Sequence, residues 1–167
     1  MKNKKQKTAP IIKDSYLQAI RNSTGVRLFR NFYATVDGNK KDILRDGDLS
    51  CAYFVSCVLR IFDLIGKIHL TVEGTVTDMK KSGWKIVKVP KKGSVLVWEK
   101  QKFGPEEHGH IGFYIGNKKA RLRRGFGGQA ISNSSVKQNV KRAPVEHSFT
   151  FGGKRRIEAI YWHKKLN

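Results

Sequence analysis

Apolar positions along the chain follow a helical spacing in the first half and a strand-like spacing from Trp84 onward. Between residues 50 and 66 the apolar side chains form one stripe on a helix: Phe54, Val55, Val58, Leu59 and Phe62. Asp48 or Ser50 is suited to cap the start of this helix, and Gly66 to end it. Two shorter helices are predicted over residues 14–22 and 72–82.

From Trp84 onward, apolar and polar positions alternate with a period of two residues. Five segments are predicted as strands: Trp84–Val89, Ser94–Glu99, His110–Ile115, Gln129–Ser132 and Ile157–Trp162. Helices followed by strands are typical of α+β proteins, in which helices pack on an antiparallel sheet. We therefore expect one α+β domain over residues 14–167 with a sheet of about five strands. Residues 1–13 carry five lysines and no acid, and a flexible basic arm is expected there.

Composition adds a strong charge to this picture. The chain has 167 residues, of which 39% are hydrophobic, so a globular core is expected. Lys plus Arg number 34 against 13 for Asp plus Glu, and the formal net charge is +21. Such an excess predicts attraction to a polyanion: nucleic acid, anionic lipid headgroups or an anionic cell-wall polymer.

The sequence contains no apolar run long enough to cross a membrane. The basic N-terminus is followed by only three apolar residues before Lys13, so we expect no cleavable export signal. A cytoplasmic monomer is the default expectation, with non-standard export or action at the cell wall as the alternative.

Cys51 is the most informative candidate for chemistry. It falls in the first turn of the predicted helix, where unpaired backbone N–H groups and the helix dipole favour a thiolate. The alternative is a buried structural cysteine. Cys57 lies well inside the same helix and is expected to belong to the core.

His110 is the natural partner for such a thiol. It opens a predicted strand in which His110, Gly112 and Tyr114 share one face. Gly112 leaves room for another element to approach, and an imidazole there can accept the thiol proton. The alternative is a surface histidine. Asn133 or Ser132 is a candidate to orient the imidazole, although both suit a turn at a strand end.

Three segments carry a resemblance to a known family. Asp48-Leu49-Ser50-Cys51-Ala52-Tyr53-Phe54-Val55 resembles the nucleophile segment of the NlpC-type papain-like cysteine peptidases. Lys92-Gly93-Ser94-Val95-Leu96-Val97-Trp98 is similar to the family's Gly-Asp-Leu-Val strand, and His110-Ile111-Gly112-Phe113-Tyr114-Ile115-Gly116 to its histidine strand. The likeness covers residues 25–135 and follows the family's order.

This resemblance implies a papain-like α+β fold and a cysteine hydrolase that needs no metal or other cofactor. It implies that Cys51 is the nucleophile, His110 the base and Asn133, or less favourably Ser132, the orienting residue. Substrate-side positions are then Tyr33, Asp48, Ser50 and Ser132. The substrates implied are amide or peptide bonds, typically those of peptidoglycan stem peptides, cleaved through a thioester. The chain departs from the family where Ser50, rather than Asp, precedes the cysteine.

Other functions remain open from the sequence. His108 and His110, together with Glu106, Glu107 or His147, have a spacing that occurs at metal sites, but nothing fixes a third ligand. A second alternative is a non-catalytic basic module on the same fold that contacts nucleic acid or another polyanion. That alternative depends on charge alone, because the chain has no zinc-finger or phosphate-loop motif.

Overall fold

The computed structural model describes residues 7–103, 105–116, 127–134 and 142–167. Residues 1–6 of the expected basic arm lie outside this part of the chain. Within it, three helices precede a sheet of six strands, and a two-stranded sheet lies between the first two helices. The expected α+β class is confirmed. None of the helices in the described ranges is long and apolar enough to span a membrane.

The helices are α1 (Ile12–Asn22), α2 (Cys51–Ile61) and α3 (Val72–Lys81). All three occupy predicted segments, but the ends of α1 and α2 differ in part from expectation. Helix α1 begins before Asp14 and has no side-chain cap. Ser50 is the N-cap residue of α2, yet its hydroxyl donates to the Gly47 carbonyl instead of accepting from the helix. Helix α2 also ends well before Gly66.

Every strand pairing in the described residues is antiparallel. The small sheet consists of β1 (Tyr33–Val36) and β2 (Asn39–Asp42). The large sheet has the order β3-β8-β4-β5-β6-β7. Its strands are β3 (Lys85–Ile86), β4 (Val95–Phe103), β5 (Glu106–Gly116), β6 (Gln129–Ser134), β7 (Ala143–Ser148) and β8 (Ile157–Trp162).

Two strands differ from the prediction in ways that affect the site. Strand β7 was not predicted, because it contains Pro144 and alternates weakly. It lies at the edge of the sheet, where a proline is tolerated because an edge strand has a partner strand on one side only. Strand β5 begins at Glu106, so His110 lies inside the strand and opposite Trp98 of β4 instead of opening it.

The large sheet has a hydrophobic cluster on each face. The helices cover one face, where Phe54 of α2 lies between Phe29 and Phe113 with ring centroids 5.1 and 5.4 Å away. Helix α2 packs directly on β5 and β6. On the other face lies a smaller cluster made of Leu96, Trp98, Tyr114, Ala130 and Phe149. The alternation predicted for β5 is confirmed, because Ile111 and Phe113 face the helices while Tyr114 faces the smaller cluster.

Candidate active site

Cys51 is the first residue of α2, as the sequence predicts. The backbone N–H groups of the first helical turn have no intrahelical partner and so present positive charge at this end. The N–H of Ile111, the residue directly after His110, lies close enough to the Cys51 sulfur to favour its charged form. The start of α2 is therefore packed against the histidine segment of β5.

The resting thiol nevertheless differs from the expected thiolate. Burial raises the pKa of Cys51, and this outweighs the opposing effects of the Ile111 and Ala52 N–H groups and of the Arg155 charge. Part of the Cys51 surface stays accessible. Cys57 packs against the main core, and burial raises its pKa to about 11. Cys51 is thus a protonated thiol that needs a base, and Cys57 is a second neutral thiol of the same helix.

His110 is held between aromatic rings and a hydroxyl. Its ring centroid lies 5.3 Å from that of Trp98 and 5.5 Å from that of Phe151. Its Nε2 atom lies 2.7 Å from the Ser132 Oγ atom. Burial lowers the pKa of His110 well below the ordinary value, and the nearby Arg155 and His147 add to this effect. The imidazole is therefore neutral at physiological pH and able to accept a proton.

Asn133 makes no hydrogen bond to the His110 imidazole. Its side chain is buried, and its amide donates to the Gly47 carbonyl at 2.7 Å. The same carbonyl accepts from the Ser50 hydroxyl at 3.0 Å. The structure thus brings Ser132, the less favoured candidate, to His110, whereas Asn133 and Ser50 fix the segment that leads into Cys51.

His147 is a site residue that the sequence suggested only as a metal ligand. Its Nε2 atom lies 2.7 Å from the Ser132 Oγ atom, so the hydroxyl joins two imidazoles. The ring stacks on Phe151 at 3.9 Å between centroids with an interplanar angle of 15°. Burial lowers the pKa of His147, opposed by the Ser148 carbonyl and the Glu146 charge.

Arg155 supplies the positive charge of the site. Only 8% of its surface is exposed, and its guanidinium donates to the carbonyls of Glu99 at 2.9 Å and His108 at 2.7 Å. Its charge favours the Cys51 thiolate and disfavours a His110 imidazolium. No local pattern marks Arg155 for this role, since it stands in a run of basic residues, Lys154-Arg155-Arg156.

Two of the four expected substrate-side residues lie apart from these contacts. Tyr33 is 57% exposed on the small hairpin, where the Lys40 ammonium lies 4.6 Å from its ring centroid. Asp48 pairs with Arg142, with 3.3 Å between the charged atoms.

No cluster of possible metal ligands among the described residues supports the metal-site alternative. Across the described ranges, no three His, Cys, Asp or Glu side chains converge to hold an ion. His108 is one of the two histidines in that spacing, and its Nε2 atom lies 3.0 Å from the Glu106 Oε2 atom.

Comparison with protein-family models, curated proteins and solved structures gives no match for this chain.

Proposed function

We propose that this chain is a cysteine hydrolase of papain-like architecture, similar to the NlpC type, that cleaves amide or peptide bonds. The observation that carries this proposal is the position of Cys51 at the start of α2, with its thiol against the N–H of Ile111, the residue that follows His110 in β5. The Arg155 charge acts on both Cys51 and His110. Stem peptides of peptidoglycan are the substrate class that the resemblance implies.

Both reacting groups start uncharged, because burial raises the pKa of Cys51 and lowers that of His110. The thiol proton moves to the imidazole as the sulfur attacks the carbonyl carbon of the substrate. The resulting imidazolium then gives its proton to the leaving amine, and a thioester remains on Cys51. Water attacks this thioester with His110 again accepting a proton, which releases a carboxylic acid and restores the thiol.

The developing oxyanion has two sources of stabilisation in this arrangement. The Cys51 N–H lies in the first turn of α2, where it is free of intrahelical bonding. The positive charge of Arg155 favours a negative charge on the Cys51 sulfur. It therefore also favours the negative charge that develops on the substrate carbonyl bonded to that sulfur. Because burial lowers the effective dielectric around Cys51 and Arg155, each of these effects is stronger than it would be in water.

The test is hydrolysis of soluble stem peptides, followed by mass spectrometry of the products. Wild type and Cys57→Ala are expected to release the same fragments, whereas Cys51→Ala and His110→Ala release none above the uncatalysed background. Cys57→Ala is the matched control because it removes the other thiol of the same helix. Cleavage that survives in Cys51→Ala would refute the mechanism.

A second candidate function is the binding of nucleic acid, and one surface cavity favours it. The cavity has a volume of about 300 Å³ and is lined by Gly83, Lys85, Val87, Lys91, Trp162, Lys164 and Asn167. The ammonium groups of Lys13 and Lys91 lie 5.6 and 5.1 Å from the Trp162 ring centroid. Among the described residues, none of these four lysines pairs with a carboxylate: Lys13, Lys85, Lys91 and Lys164.

Binding of a labelled oligothymidylate, measured by fluorescence anisotropy against salt concentration, tests this second function. Substituting Lys85, Lys91 and Lys164 together by Gln should weaken binding and reduce the slope of log K against log salt by about 2, since each phosphate contact on a single strand contributes about 0.7. The matched control substitutes three exposed lysines elsewhere: Lys40, Lys41 and Lys67. An equal loss in the control would show that charge alone is responsible. A polyglycerol-phosphate competitor that displaces the oligonucleotide at lower concentration would instead favour a wall polymer.

A further inference from the structure

The array His110–Ser132–His147 contains three polar side chains in series, and its hydrogen positions can be derived from its ends. The Ser132 Oγ atom lies 2.7 Å from the Nε2 atom of His110 and 2.7 Å from the Nε2 atom of His147. At the far end, the Nδ1 atom of His147 lies 2.9 Å from the Ser148 carbonyl oxygen. A carbonyl oxygen only accepts hydrogen bonds, so His147 Nδ1 carries a proton.

The rest of the array follows from that proton. A neutral imidazole has one protonated nitrogen, so His147 Nε2 is an acceptor and the Ser132 hydroxyl must donate to it. The Ser132 oxygen then accepts from His110, which places the proton of His110 on Nε2. Its Nδ1 atom is left bare. Burial supports the neutral state of both rings, because it lowers the pKa of each.

We infer that His147, acting through Ser132, holds His110 in the tautomer whose Nδ1 atom is free to take a proton. His147 is thus a positioning residue and not a catalytic one, and its consequence for catalysis rests on the proposed hydrolase function. The rings around the array limit its rearrangement, since Trp98 contacts both imidazoles and Phe151 stacks on His147.

Protonation of His147 would reverse the array. With both of its nitrogens protonated, His147 Nε2 would donate to the Ser132 oxygen, and the hydroxyl would donate to His110 Nε2. A neutral His110 would then carry its proton on Nδ1, so that this nitrogen could no longer accept the thiol proton. The charged or titratable groups that act on the two imidazoles are Arg155 and His147 at His110 and Glu146 at His147, and Arg155 opposes the protonation of His110.

The direct test is the ring nitrogen spectrum of the protein labelled with ¹⁵N-histidine, recorded near pH 7.5. Wild type is expected to show His110 protonated at Nε2 and bare at Nδ1. Ser132→Ala and His147→Phe should both produce a mixture of tautomers at His110, although His147→Phe keeps an aromatic ring against Phe151. His147→Gln should restore the wild-type tautomer because its side-chain oxygen can accept from Ser132. His108→Phe is the matched control and should leave His110 unchanged.

The kinetic counterpart is the rate at which an activated ester acylates Cys51. His147→Phe is expected to slow acylation on the order of 100-fold through the loss of an oriented base, and His147→Gln to recover most of that rate. A His110 that carries its proton on Nδ1 in wild type, or that keeps one tautomer in His147→Phe, would overturn the inference. The spectrum needs no substrate, so a correct tautomer together with a failure to cleave any amide would contradict only the proposed function.

Discussion

Gly112 of β5 and Ser132 of β6 approach each other so closely that a Cβ atom on Gly112 would lie 2.6 Å from the Ser132 Cβ atom. It would also lie 2.6 Å from the Ile131 carbonyl oxygen. The missing side chain lets Ser132 reach diagonally past Gly112 to the Nε2 atom of His110. The spacing of these two strands therefore depends on a single glycine.

Gly112→Ala is expected to push β6 away from β5. Because the nearest atoms are backbone and Cβ atoms, they cannot move aside independently, and we expect a loss of about 1–3 kcal/mol in the free energy of unfolding. Urea titration measures this loss. Gly109→Ala in the same strand is the matched control, since its Cβ would meet Val72 at an ordinary 3.6 Å. Equal stability of the two variants would contradict the tight spacing.

Arg155→Gln should raise the pKa of His110. The guanidinium charge disfavours the imidazolium form, so removing it makes His110 easier to protonate. The same change should raise the pKa of Cys51, because the charge favours the thiolate. Titration of the His110 ring signals measures the first shift, and alkylation of Cys51 against pH the second. Arg156→Gln is the control, since Arg156 is exposed and pairs with Glu99; equal shifts in both variants would rule out a specific role for Arg155.

Asn133→Ala should loosen the segment before Cys51. The substitution removes a buried donor to the Gly47 carbonyl, and we expect a cost of about 1–2 kcal/mol in unfolding free energy. Cys51 acylation should also slow, because this carbonyl anchors the residues that lead into α2. Asn31→Ala removes an exposed amide contact to Asp42 and is expected to change stability by less than about 0.5 kcal/mol. An Asn133→Ala variant with unchanged unfolding free energy and unchanged Cys51 acylation would contradict the anchoring role.

Asp78 should contribute acid-sensitive stability. Burial opposes its charge, but contacts with His69, with the N–H groups of Gly66 and Lys67, and with Ser82 lower its pKa to about 2 from 3.8. Since the folded pKa lies below the unfolded value, this contribution is present above pH 3.8 and disappears as the pH falls through about 2.

The comparison of wild type with Asp78→Asn isolates that contribution. The variant is expected to lose roughly 1.5–3 kcal/mol near neutral pH through the missing charged hydrogen bonds, and the difference should shrink as the pH falls towards 2. Thermal unfolding across this range measures it. Asp63→Asn is the control, because the Asp63 side chain is 78% exposed and should show little effect at any pH. A difference that stays constant with pH would contradict the account.

Local patterns in the sequence predict much of the framework. The apolar stripe places Cys51 in the first turn of α2, and the two-residue period of β5 correctly separates Ile111 from the face that holds Tyr114. Both features depend on neighbours within one element, so they are visible without knowing how elements pair.

The polar connections of the site depend on register, which local periodicity does not contain. Ser132 lies opposite Val145, and His147 is its diagonal neighbour on β7. Because β7 was not predicted from its sequence, His147 could not be assigned to the site. The preference for Asn133 over Ser132 followed from the family resemblance, whereas the alternation along β6 directs these two residues to opposite faces. Arg155 was missed because its partners are backbone carbonyls.

The most direct test of the central claim is to trap the acyl group that a short reaction with an activated ester leaves on the protein. The proposed pair of Cys51 and His110 predicts one acyl group, located on Cys51 by peptide mass spectrometry. It should be absent from Cys51→Ala, form on the order of 100-fold more slowly in His110→Ala, and form normally in Cys57→Ala. Acylation confined to Cys57 or to lysines, or a His110→Ala variant that reacts at the wild-type rate, would contradict the account.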